Sequence, residues 1–143
     1  SKYYTTDLAG NIVPSESGGR HEHVESLSAD TTLTVEDSGK LFLLDATGEV
    51  ITLPTSLVNG CNFKFRVIAS VAVSDWTIVA ATNVIQGYAA VNYATIAAAN
   101  ENTISLTASN AIAGDWVEIV CDGTSWHVNG VGSAAGSITF TAP

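Results

Sequence analysis

From Cys61 to Val67 apolar and polar positions alternate without a break. Cys61, Phe63, Phe65 and Val67 fall on one side, and Asn62, Lys64 and Arg66 on the other. A period of two puts successive side chains on opposite faces of an extended chain, so this run predicts a strand with one face in a core. Thr103-Ile104-Ser105-Leu106-Thr107 alternates as strictly. Shorter β-prone runs cover Thr32 to Val35, Lys40 to Asp45, Val50 to Leu53, Trp76 to Ala80, Trp116 to Cys121, Trp126 to Asn129 and Ser137 to Thr141. Turn formers separate them: Glu36-Asp37-Ser38-Gly39, Ala46-Thr47-Gly48 and Asn59-Gly60. Pro54 closes the run that starts at Val50, because proline cannot donate to a ladder. Many short strands with dense turn signals predict an all-β domain over residues 31–143, an antiparallel β-sandwich or a jelly-roll-like barrel, with no helix beyond a turn or two.

Two segments depart from this pattern. Residues 86–100 are alanine-rich yet carry neither a 3.6 period nor helix caps, and they read as a long excursion of irregular or strand character. Such small side chains suit close packing of backbone against another surface. Residues 1–30 have no sustained periodicity and hold a Ser-Glu-Ser-Gly-Gly stretch at 15–19, which predicts an extended N-terminal arm outside the core. The arm is expected to dock on a neighbouring subunit or shell. Its aromatic and aliphatic residues Tyr3, Tyr4, Leu8, Ile12 and Val13 are the candidate interface residues, together with Trp116.

Composition narrows the function. Charged residues make up 13% of the 143, about half the globular average of roughly 25%. Thr, Ser, Asn and Ala take their place, which favours a rigid β protein with extensive subunit contact over an enzyme with a charged cleft. A formal net charge of −9 with five scattered basic residues argues against nucleic acid and against anionic membrane surfaces. No apolar run approaches the ~20 residues of a spanning helix, and no signal-like apolar stretch opens the chain, so a soluble protein made in a cytoplasm is expected. Cys61 and Cys121 each sit at a strand end among apolar neighbours, which points to buried, reduced thiols.

Candidate chemistry is sparse. Asp122, Ser125 and His127 lie close in sequence, but no nucleophile elbow precedes the serine, and the trio reads as the polar face of a hairpin. Glu36, Asp37 and Asp122 read as turn residues whose carboxylates hold local N–H groups. His21-Glu22-His23 in an extended segment would aim two imidazoles the same way, making His21 and His23 the only metal candidates; two ligands fall short of the usual four. No metal, no cofactor and no catalytic residue is therefore expected. Trp76 and Trp126 are expected in the core, whereas Trp116 shares a face with Glu118, opposite Val117, Ile119 and Cys121.

The clearest motif is a hairpin, Gly114-Asp115-Trp116 followed by Val117 to Cys121, the turn Asp122-Gly123, then Trp126 to Gly130. Asp-Gly reaches positive φ cheaply and lets a strand fold back, while a tryptophan anchors each arm. The phrase resembles the "GDW…DG…W" hairpin of small all-β structural proteins of tailed bacteriophages, which include capsid decoration (cement) proteins and stubby fibre domains. The resemblance extends loosely upstream to Thr31. It implies a non-enzymatic virion protein that binds the major capsid protein shell from the outside and assembles as a homotrimer. The alternatives are a tail-fibre or spike receptor-binding domain and a carbohydrate-binding module.

Overall fold

The computed structural model describes residues 4–6, 12–14 and 22–142 except Thr82. Near the N-terminus, β1 (Tyr4–Thr6) and β2 (Ile12–Pro14) form an antiparallel pair. The remaining strands are β3 (Val24–Leu27), β4 (Thr31–Thr32), β5 (Leu41–Leu44), β6 (Val50–Thr52), β7 (Asn62–Val67), β8 (Trp76–Val79), β9 (Ile85–Val91), β10 (Ala94–Glu101), β11 (Thr103–Leu106), β12 (Trp116–Cys121), β13 (Trp126–Gly132) and β14 (Ile138–Thr141). They build a seven-stranded sheet in the order β10-β9-β13-β12-β7-β5-β3 and a five-stranded sheet in the order β14-β11-β8-β6-β4. The two pack face to face as a β-sandwich. Helix among the described residues is limited to one 3-10 turn, Val35–Asp37, so none is long and apolar enough to cross a membrane.

The sheets are mixed, not antiparallel. Between β3 and β8 the chain alternates sheets, laying β3, β5 and β7 in one and β4, β6 and β8 in the other. Each strand therefore returns parallel to the previous strand of its own sheet, as in Leu27↔Leu44↔Val67 and Ile51↔Ile78. A parallel neighbour needs a long crossover. Here the crossover is a strand of the facing sheet. From β9 onward most neighbours are antiparallel, with β9–β10 and β12–β13 joined as hairpins, although β9 and β13 run parallel.

Two expectations shift, and a third, for residues 86–100, resolves to its strand alternative. The predicted arm does not reach Asp30: β3 pairs with β5, and Leu27 is buried in the core. Thr32 to Val35 is not one strand. Only Thr31–Thr32 pairs, Leu33 drops into the core, and the Asp37 carboxylate accepts the Thr34 N–H at 2.9 Å to start the 3-10 turn. Residues 86–100 form an antiparallel hairpin whose two-residue turn, Asn92-Tyr93, has φ of +50° and +63°. That left-handed pair is the turn whose twist matches the flanking strands. Alanine on both faces had erased the alternation that identifies strands.

Phe42, Phe63, Phe65 and Trp126 from the larger sheet meet Ile51, Trp76, Ile78, Ile104 and Leu106 from the smaller one in a single core. Phe42 and Phe65 stack at 5.6 Å between centroids, and Phe63 lies 5.9 Å from Trp126. The Trp76 indole N–H donates to the Asp45 carbonyl at 2.8 Å, so its burial leaves no donor unpaired. Aspartates fasten the loops. The carboxylates of Asp30, Asp75 and Asp115 accept backbone N–H groups from Val50, Ala108, and both Ile112 and Ser133.

Cys61 and Cys121 are both buried, and the Cys121 N–H donates to the Cys61 carbonyl at 2.8 Å. Burial pushes the Cys61 thiol up, away from the reactive thiolate. Folded protein should therefore take up iodoacetamide slowly and unfolded protein should take up two equivalents, as mass spectrometry would read. A linked Cys61–Cys121 peptide in unreduced digests would contradict this.

Candidate interaction surface

The outer face of the larger sheet carries Trp116, a candidate interface residue, and His127. Register places Trp116 beside Arg66 and Val131, Glu118 beside Lys64 and Asn129, and Val120 beside Asn62 and His127. Of these, Asn62, Lys64, Glu118, Val120, His127 and Asn129 line a shallow depression of about 390 Å³. Trp116 is half-buried on this face, opposite Val117 and Ile119 in the core, where its strand period puts it. Lys64 leaves the depression sideways to meet Glu22 at 2.9 Å. Trp76 and Trp126 are fully buried and cannot meet a ligand.

The trio Asp122, Ser125 and His127 does not form a relay. Asp122 Oδ2 lies 2.7 Å from His127 Nε2, while its Oδ1 accepts the N–H groups of Thr124 and Ser125 at 2.8 Å each. Ser125 Oγ instead accepts from Gln86 Nε2 at 3.2 Å. The group locks a hairpin turn. The contact with His127, and then the two backbone N–H donors, hold the Asp122 carboxyl down at about 2. A depressed carboxyl stabilises the fold above its unfolded pKa of about 3.9 and stops doing so as pH falls through its folded value. The Asp122 carboxyl carbon should titrate by NMR with a midpoint near 2, and its support for the turn should disappear between about pH 4 and 2. A midpoint near 4 would mean the turn is not held this way.

Other candidates fall elsewhere. His23 is exposed at the start of β3, and its carbonyl accepts the Leu41 N–H at 2.9 Å. His21, Tyr3 and Leu8 lie outside the described residues, so the paired-imidazole reading has no geometry. Tyr4, Ile12 and Val13 are placed only as backbone of β1 and β2. No group of three metal-ligating side chains occurs among the described residues.

The sequence reading missed the surface that stands out most. Charge is divided unevenly through the fold. Residues 76–114 contain one ionised side chain, Glu101, and residues 123–143 contain no Asp, Glu, Lys or Arg. Those stretches supply β8, β9, β10, β11, β13 and β14, and so one end of both sheets. On that end Tyr88 is 63% exposed and Tyr93, at the β9–β10 turn, is fully exposed. A non-glycine residue in the left-handed region costs free energy, and an aromatic one held in solvent there gains no packing in return. Between β10 and β14 runs an apolar groove of about 430 Å³, lined by Val91, Ile96, Ala97, Ile138 and Phe140. The long uncharged stretch at 76–114 was visible in the sequence. Its gathering with 123–143 at one end of the sandwich was not.

Comparison with protein-family models and with curated proteins finds no match.

Proposed function

We propose that this chain is a non-enzymatic structural protein of a tailed bacteriophage that decorates the capsid exterior by binding the major capsid protein. The observation that carries the reading is the nearly uncharged end of the sandwich. Protein interfaces are depleted of charge in their buried centres and enriched in tyrosine. On a chain of net charge −9, an end bearing one carboxylate and two exposed tyrosines fits that description. Its mechanism is burial of surface between rigid β proteins, where about 800 Å² per partner suffices for a stable contact. The hairpin from Gly114 to Gly130, which resembles those of phage decoration proteins, supplies the kind of partner.

Gold-labelled antibody against this chain, applied to intact phage particles that contain it, tests the reading. Label spread over the head is expected. Label confined to tail tips would support a receptor-binding fibre instead, and no label on any particle would overturn both.

A further inference from the structure

We propose that β10 is a self-pairing edge: two copies of this chain join β10 to β10 antiparallel about a two-fold axis, fusing their seven-stranded sheets into one. The inference goes beyond the capsid reading, does not depend on it, and sets a two-fold dimer in place of the homotrimer that the resemblance implies.

Backbone geometry gives the first reason. The two-residue turn Asn92-Tyr93 makes Val91 and Ala94 the hydrogen-bonded pair that closes the hairpin. Antiparallel ladders alternate, so Ala94, Ile96 and Ala98 bond to β9. The N–H and C=O groups of Thr95, Ala97 and Ala99 consequently point away from the sheet. None of them has a backbone partner among the described residues.

The second reason is that, among the described edge strands, this one is the longest and has little of what keeps edges apart. Natural edge strands are shortened, charged or broken by proline. At the far end of the same sheet β3 has four residues, and its Glu25 is bound to Lys40 at 3.4 Å. In the other sheet β4 has two residues and β14 four. By contrast β10 runs eight residues, Ala-Thr-Ile-Ala-Ala-Ala-Asn-Glu, free of lysine and proline, with its bulge confined to the Asn100 end.

The third reason selects the occupant. A strand docking here must be small-sided and uncharged, and β10 itself meets both conditions. Two acidic copies meet with least repulsion where charge is lowest. Centring the axis on Ala97 uses all three outward residues, pairing Thr95 with Ala99 of the other copy and Ala97 with its own mate. Each such pair exchanges two hydrogen bonds. The bulge at Asn100 ends this register, so Glu101, the only charged residue of β10, lies beyond the paired segment. Along each side Tyr88, the β9 neighbour of Ala97, flanks the alanine seam.

Sedimentation equilibrium of the full chain tests this. The wild-type protein is expected at twice its 14.8 kDa mass, and Ala97→Pro at the monomer mass with an unchanged far-ultraviolet spectrum. Proline at this position removes an outward N–H and none that serves β9. Should the variant unfold, hydrogen exchange on wild-type protein decides. Amides of Thr95, Ala97 and Ala99 should be protected in concentrated solution and exchange freely on dilution, while those of Ile96 and Ala98 stay protected throughout. A wild-type monomer at every soluble concentration, a trimer, or a folded Ala97→Pro dimer would each overturn the proposal.

Discussion

Phe65→Ala is expected to lower the free energy of unfolding by about 3–5 kcal/mol, the range for deleting a buried ring. Phe65 has no exposed surface, and it packs 5.6 Å from Phe42 and 6.5 Å from Phe63. Register explains why relaxation cannot heal the gap. Phe65 is held between Phe42 on β5 and Val117 on β12, both fully buried, so the cavity walls belong to three hydrogen-bonded strands. Such walls collapse little, and the cost rises with the volume left empty. Urea denaturation of the two proteins measures the difference directly. A loss below about 1 kcal/mol would place this face of β7 outside a packed core, since Leu→Ala in a true core already exceeds that figure.

Gly87→Ala is expected to be among the most damaging small changes in the chain. Gly87 sits in β9 at φ +133°, a conformation side chains rarely adopt, and an added Cβ would collide with the carbonyl oxygen of Val128 on β13. Backbone strain of this kind costs about 1–3 kcal/mol. Forcing a packed ladder apart costs a similar 1–3 kcal/mol. The register Val128↔Gly87 is the parallel joint that fastens the β9–β10 hairpin to the rest of the sheet. Loosening it should therefore also weaken any pairing through β10. Gly123→Ala is the control. Gly123 has φ +94° in the Asp122-Gly123 turn, but its Cβ would meet only Asn59 at 3.8 Å. It should lose the strain energy alone. Equal losses at the two positions in denaturant melts would mean that Gly87 does not carry a close approach.

Strand by strand, much of this arrangement was legible. The alternation from Cys61 to Val67 marked β7 and assigned its faces, because a half-buried strand displays its two environments one residue at a time. The same logic put Trp116 outside and Trp126 inside before any contact was known. Asp122-Gly123 located the β12–β13 turn, since few dipeptides reach positive φ so cheaply. Two elements escaped for opposite reasons. In β10 the residues are small on both faces, so no periodicity survives. In β3 the four residues Val24-Glu25-Ser26-Leu27 are too few to show a period, and only pairing with β5 reveals a strand.

The sequence by itself determined the class of the fold, most of the strands, the composition of the core and the turn role of Asp37 and Asp122. All of these depend on neighbours within a few residues. Sheet order, the parallel winding of β3 to β8 and the gathering of β8–β11 with β13 and β14 at one nearly uncharged end were decided only by the tertiary structure. Pairing between distant strands leaves no local signature, because a parallel and an antiparallel strand bury the same alternating face. Where the charge is absent can be read along the chain; which absences share a surface depends on how the two sheets fold together.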